Sequence, residues 1–259
     1  MTTVAKQLIS GDHIELGSGP VGIYMIHGFT GSTYEFQGLA TYLADAGYRV
    51  QARLLAGHGT SVEECNLVRA QDWLTETEFH FTELLLDCET VFVVGLSMGA
   101  GLALHLGALF PVAGVVAMST VLGVNPVKMP WLLPLAAPFV TSIRKASVYH
   151  GKNPAGHRYY GYDSYPVKGM REMLRLNRLI HGELPAMIAP LLMMHSKADI
   201  TADFRNAQIV FDAVGSSDKE MAVFEESGHV MPDGSEKEAV WEALLTFIAA
   251  RTPQPAEAG

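Results

Sequence analysis

The sequence predicts an α/β fold: a mostly parallel central sheet flanked by helices, interrupted by one insertion. Three observations lead there. Short apolar runs alternate with helical patterns along most of the chain, as parallel strands joined by crossover helices require. Several of these runs are almost continuously apolar, which suits strands covered on both faces. The alternation stops between residues 119 and 190, where no strong strand signal is found.

Taken in order, the strand candidates are 22–26, 49–54, 90–94, 114–118, 191–194 and 220–224. Ser32-Thr33-Tyr34-Glu35 fits a capping box, predicting a helix to about Ala46 that Gly47 can stop. Asp72 is placed as the cap of a helix reaching about Asp87. Helical patterns cover 100–109 and 167–181. Ser235-Glu236-Lys237-Glu238 is a second capping box, and Val240, Trp241, Leu244, Leu245 and Ile248 behind it recur at helical spacing. The expected division is a core of 1–118 and 190–251, a cap of 119–189 and a flexible tail of 252–259 holding Pro253 and Pro255. The most apolar stretch, 121–140, carries Lys128, Pro126, Pro130, Pro134 and Pro138, so it makes a poor membrane span.

At 259 residues with 49% hydrophobic composition, the chain can bury one large core. A formal net charge of −9 opposes nucleic acid and anionic lipid as partners. Cys65 and Cys88 make no disulfide framework or metal spacing and are read as reduced thiols. The first ten residues hold no apolar run of signal-peptide length, so the expected location is the cytoplasm. No integral membrane span is expected, and composition leaves the oligomeric state open.

Gly95-Leu96-Ser97-Met98-Gly99 lies between a strand candidate and a helix candidate, the context of a nucleophile elbow. A turn that sharp leaves no room for side chains at Gly95 and Gly99 and sets the serine oxygen at a helix N-terminus. A serine needs a base, and the base an orienting acid. Asp199 follows one late strand and His229 the next, in the order serine, acid, histidine; Asp203 is the reserve acid. A tetrahedral intermediate needs N–H donors for its oxygen. Met98, next to Ser97, supplies one; Phe29, between Gly28 and Thr30 in the loop after 22–26, is chosen for the other. His27 and His58 are read as loop braces and His105 as a satisfied helix residue. No histidines are paired at metal-binding spacing, so no metal and no cofactor are expected. Tyr149, Tyr159, Tyr160, Tyr162 and Tyr165 crowd one stretch with Lys152 and Arg158, either pinning a loop or facing the alcohol part of a substrate.

The set His27-Gly28-Phe29-Thr30-Gly31-Ser32, Gly57-His58-Gly59, Gly95-Leu96-Ser97-Met98-Gly99 and Ser227-Gly228-His229-Val230 resembles the α/β-hydrolase superfamily. More narrowly it resembles bacterial carboxylesterases and monoacylglycerol lipases with a small cap. The resemblance implies a small cap inserted after the sixth strand. It also implies hydrolysis of short- to medium-chain carboxylic esters, monoacylglycerols being one candidate class, by Ser97, Asp199 and His229 with Phe29 and Met98 as oxyanion donors. The partners are then a small-molecule ester and water. Two positions depart from the family pattern: Ala100 replaces a glycine, and Ile200-Thr201-Ala202 replaces a Val-Pro type segment. Leu132, Leu133 and Phe139 are expected to line the acyl pocket. Two other readings remain: a lactone or carbon–carbon bond hydrolase using the same triad, and a non-catalytic ligand-binding member of the fold.

Overall fold

Period-two alternation assigns side chains to the two faces of the sheet. The computed structural model of the protein describes residues 13–122, 140–145 and 161–252. Its main sheet contains β1 (Ile14–Leu16), β2 (Val21–Ile26), β3 (Arg49–Ala52), β4 (Thr90–Leu96), β5 (Gly114–Met118), β8 (Leu191–Ser196) and β9 (Lys219–Phe224). The strand order is β1-β3-β2-β4-β5-β8-β9. Only β1 runs antiparallel to its neighbour. In the insertion, β6 (Ser142–Arg144) pairs antiparallel with β7 (Ser164–Pro166).

Seven helices accompany the strands: α1 (Gln37–Asp45), α2 (Val62–Cys65), α3 (Ala70–Asp87), α4 (Met98–Leu109), α5 (Val167–Glu183), α6 (Arg205–Ala213) and α7 (Lys237–Arg251) among the described residues. Tyr24, Ile26, Val91, Val93, Val115, Ala117 and Met193 point to one face, where they pack with residues of α3, α4 and α5. Ile23, Met25, Phe92, Val94, Val116, Met118 and Met194 point to the other, against α1 and α7. Burial on both sides explains the continuous apolar runs. Cys65 and Cys88 are free and buried. Among the described residues no helix is long and apolar enough to cross a membrane.

All six strand candidates form; four are longer by a residue or two than the sequence pattern, and 49–54 is shorter, ending at Ala52. The additional strands β1, β6 and β7 are three residues each, too short to show a period, and only cross-strand pairing makes them strands. The insertion leaves from β5, the fifth strand along the described chain, and returns to the sheet at β8.

The helix starts differ from the expected caps. Ser32 opens a 3-10 turn, Thr33–Phe36, without a side-chain cap bond, and α1 begins only at Gln37. Asp72 sits inside α3 rather than at its cap, its Oδ2 accepting the Arg69 N–H at 2.8 Å. Ser235 does not cap α7 either; its hydroxyl donates to the Glu226 carbonyl at 3.0 Å. Asp72 thus serves as the N3 member of a capping box rather than as the cap itself, and Ser235 bonds a separate loop instead of its own helix.

Candidate active site

Strand order reverses between β2 and β4, and open parallel sheets hold ligands at the carboxyl ends of strands flanking such a reversal. Ser97 follows β4 directly, with φ 58° and ψ −114°. That left-handed φ is costly for a side-chain-bearing residue, of order 1–3 kcal/mol. The surroundings enforce it. The Ser97 N–H donates to the Met118 carbonyl of β5 at 2.8 Å. A Cβ on Gly95 would strike the carbonyl of Gly99, and one on Gly99 would strike that of Ile26. Among the described residues the non-glycine positive-φ residues are Thr30, Ser97 and Ser119, all just beyond carboxyl ends of β2, β4 and β5. Strain is thus gathered at one edge of the sheet.

Asp199 follows β8 and His229 follows β9, and the two loops meet. His229 Nδ1 lies 2.8 Å from Asp199 Oδ2. The other oxygen, Oδ1, accepts the N–H groups of Thr201 at 2.8 Å and Ala202 at 2.9 Å. Burial opposes ionisation of Asp199, but the His229 bond and these two amides outweigh it, and the carboxyl is held below its usual range. An ionised carboxylate only accepts, so Nδ1 carries a proton, and in the neutral ring Nε2 is the bare nitrogen. The departure at Ile200-Thr201-Ala202 gains a meaning here: a proline at 201 or 202 would remove one of the two donors. Asp203 turns away, its carboxylate held by the Arg205 guanidinium at 2.9 and 2.6 Å. The His229 loop is fixed from α7: Glu236 accepts the N–H groups of Glu226 at 2.9 Å and Ser227 at 2.7 Å.

The loop after β2 stands beside Ser97, the space where a Gly28 Cβ would be lying 3.4 Å from the Ser97 Cβ. Its amides are mostly engaged. Gly28 N–H donates to Glu35 Oε2 at 2.8 Å. Thr30 N–H donates to His58 Nε2 at 3.0 Å. Gly31 N–H donates to the Gly28 carbonyl at 3.1 Å. Phe29 N–H has no acceptor among the described residues, and Met98 N–H is the first of α4, whose leading amides lack intrahelical acceptors. His27 and His58 brace the loop as neutral rings. His27 Nε2 accepts the Leu55 N–H at 3.1 Å, and burial, then the neighbouring His58, holds its pKa down to about 3. Burial likewise lowers His58 to about 4.

Residues 21–233 match the family model described as Hydrolase_4, serine aminopeptidase S33. The chain belongs to that family. It is therefore an α/β-hydrolase, a serine hydrolase of the esterase–lipase type. It is 30% identical over 238 residues to the thermostable monoacylglycerol lipase of Bacillus sp. (strain H-257), covering 90% of this chain and 92% of that one. It is 24% identical over 233 residues to a carboxylesterase of Bacillus subtilis (strain 168), covering 89% and 93%. A solved structure from work on the metagenome-derived lipolytic enzymes LipS and LipT superposes with a TM-score of 0.83 at 26% identity, covering 93% of this chain and 98% of that one.

Other residues of this Hydrolase_4 chain have structural partners. Tyr162 stacks on His58 and its hydroxyl donates to the Gly57 carbonyl at 2.8 Å, so it pins a loop. Tyr165 faces Lys145. Tyr149, Tyr159, Tyr160, Lys152, Arg158, Leu132, Leu133 and Phe139 lie outside the described residues. His105 is buried in α4, 3.0 Å from Glu78 of α3 and 2.7 Å from Glu183 of α5. Sequence reading missed two carboxylates that hold the site. Glu35 and Glu236 look like capping-box residues, and their local pattern carries no sign that their acceptors serve amides of other loops.

Proposed function

We propose that the chain hydrolyses short- to medium-chain carboxylic esters, monoacylglycerols among them, through an acyl-enzyme on Ser97. The Asp199–His229 hydrogen bond of 2.8 Å, at the same sheet edge as the strained Ser97, is the observation that carries this reading. In it, His229 Nε2 removes the Ser97 proton as Oγ attacks the ester carbonyl. The Phe29 and Met98 N–H groups hold the resulting oxyanion. His229 returns the proton to the leaving alcohol. Water then attacks the acyl group by the same steps, while Asp199 fixes the ring tautomer and stabilises the imidazolium. The similarity to a monoacylglycerol lipase and a carboxylesterase supports the ester class. We place the protein in the cytoplasm, with 119–189 as its cap.

The test is alcohol release from p-nitrophenyl acetate through decanoate alongside monoacylglycerols, with lactones, diketones and amino-acid p-nitroanilides in parallel. A burst of nitrophenol followed by steady hydrolysis is expected. Faster cleavage of lactones, diketones or anilides would replace the ester reading, and no turnover of any member would favour a ligand-binding role.

A further inference from the structure

The loop that presents Phe29 is held by a lysine that belongs to the insertion. Lys145 directly follows β6, and its Nζ donates to the Thr30 hydroxyl at 2.6 Å. That hydroxyl donates in turn to the Phe29 carbonyl at 2.6 Å. The insertion grips Thr30 a second time, through the Tyr162 N–H on the Thr30 carbonyl at 2.9 Å. Thr30 needs such support, because its φ of 63° is unfavourable for a β-branched residue. Beneath the loop lies Glu35, only 4% exposed, with its carboxylate on the Gly28 N–H. A buried carboxylate is stable only with hydrogen bonds and a countercharge, and the Lys145 ammonium supplies that charge.

We infer that Lys145 is a positioning residue, through which the insertion holds the Phe29 amide in place to receive the oxyanion formed at Ser97. This rests on the proposed role of Phe29. Lys145 does not touch the reacting atoms; it acts through Thr30 and Glu35. The groups facing it are Glu35 and Asp163, which favour its charge, the Tyr165 ring at 5.1 Å, and neutral His58. Burial outweighs the two carboxylates and brings its pKa down to about 8. Above that pH, Nζ keeps a donor for Thr30 but no longer balances Glu35.

The experiment is ester hydrolysis by the full chain from pH 6 to 10, for wild type, Lys145→Met, Lys145→Arg and Ser97→Ala, with melting temperatures alongside. Lys145→Met should lower kcat about ten- to a hundredfold with KM nearly unchanged, the pattern of a support needed only in the transition state. Wild-type kcat should fall on the alkaline side with a midpoint near pH 8. Lys145→Arg, whose guanidinium stays charged, should not show that fall. The alkaline fall should come without destabilisation from this group. The unfolded lysine keeps its proton to about pH 10.4, so between about pH 8 and 10 the unfolded chain binds more protons and stability rises. A cap-gluing role would lower the melting temperature and leave the pH profile alone. Wild-type kcat in a folded Lys145→Met, or an identical alkaline limb in Lys145→Arg, overturns the inference. If Ser97→Ala is dead in that case, only the Lys145 role has failed; if Ser97→Ala also turns over, the acyl-enzyme reading has failed.

Discussion

At Ser97 a rare backbone conformation places a hydroxyl at the start of α4, and the whole turn is arranged to tolerate it. Removing the hydroxyl leaves that backbone and its packing unchanged. Ser97→Ala should therefore keep its melting temperature and lose activity by about 10⁴ or more, with His229→Ala losing a similar amount because in the proposed mechanism the two act as one unit. Steady-state hydrolysis checks both, and a tenth of wild-type activity in either would remove the assignment. Asp199→Asn should cost up to about 10⁴, since an amide can present the wrong hydrogen-bonding partner to Nδ1. Asp203→Asn should be mild, because Asp203 is engaged by Arg205. The reverse ranking would exchange the two carboxylates.

Among the elements, the loops at the carboxyl edge of the sheet are shaped by side chains from the helices that follow them. Glu236 at the start of α7 accepts amides from the loop leading to His229. Glu236→Ala leaves those N–H groups without their acceptor, which costs about 1–3 kcal/mol if water does not replace it. Both melting temperature and kcat should drop, because the imidazole loses its fixed position. A lower melting temperature with unchanged kcat would show that the His229 loop holds its geometry without α7. In the same layer, His105 joins α3, α4 and α5 through Glu78 and Glu183 and so ties the returning helix of the insertion to the core.

For the whole molecule, acid stability follows from the two neutral braces. His27 and His58 bind protons near pH 6.5 when unfolded but only near 3 and 4 when folded. Below about pH 6.5 the unfolded chain binds more protons, so stability falls as pH drops until the folded values are reached. At pH 5 the loss is about 2 kcal/mol per histidine. His58→Gln should flatten the fall in melting temperature between pH 7 and 5; an unchanged slope would place the acid sensitivity elsewhere. Acyl preference is the other property of the whole molecule. If Leu132 and Leu133 line the acyl pocket, Leu132→Ala and Leu133→Ala should lose more kcat/KM on octanoate than on acetate esters. Each covered methylene is worth up to about 0.8 kcal/mol. Equal loss on both esters with a lower melting temperature would assign these leucines to packing instead.

Sequence alone determined what depends on local pattern. Apolar runs marked the six long parallel strands, and the order of Ser97, Asp199 and His229 put all three on loops at one sheet edge. These are legible because a doubly covered strand must be apolar and a strand-to-helix turn as sharp as that at Ser97 must have its glycines. Tertiary structure decided what depends on partners far away in the chain. The sequence already put Asp199 ahead of Asp203; the 2.8 Å bond from His229 to Asp199, and the Arg205 clamp on Asp203, depend on where the loops meet. The short strands β1, β6 and β7 exist only through pairing. Glu35, Glu236 and Lys145 carry the same lesson: each satisfies a group on a separate loop, as buried amides and charges demand, and three-dimensional proximity alone decides which group that is.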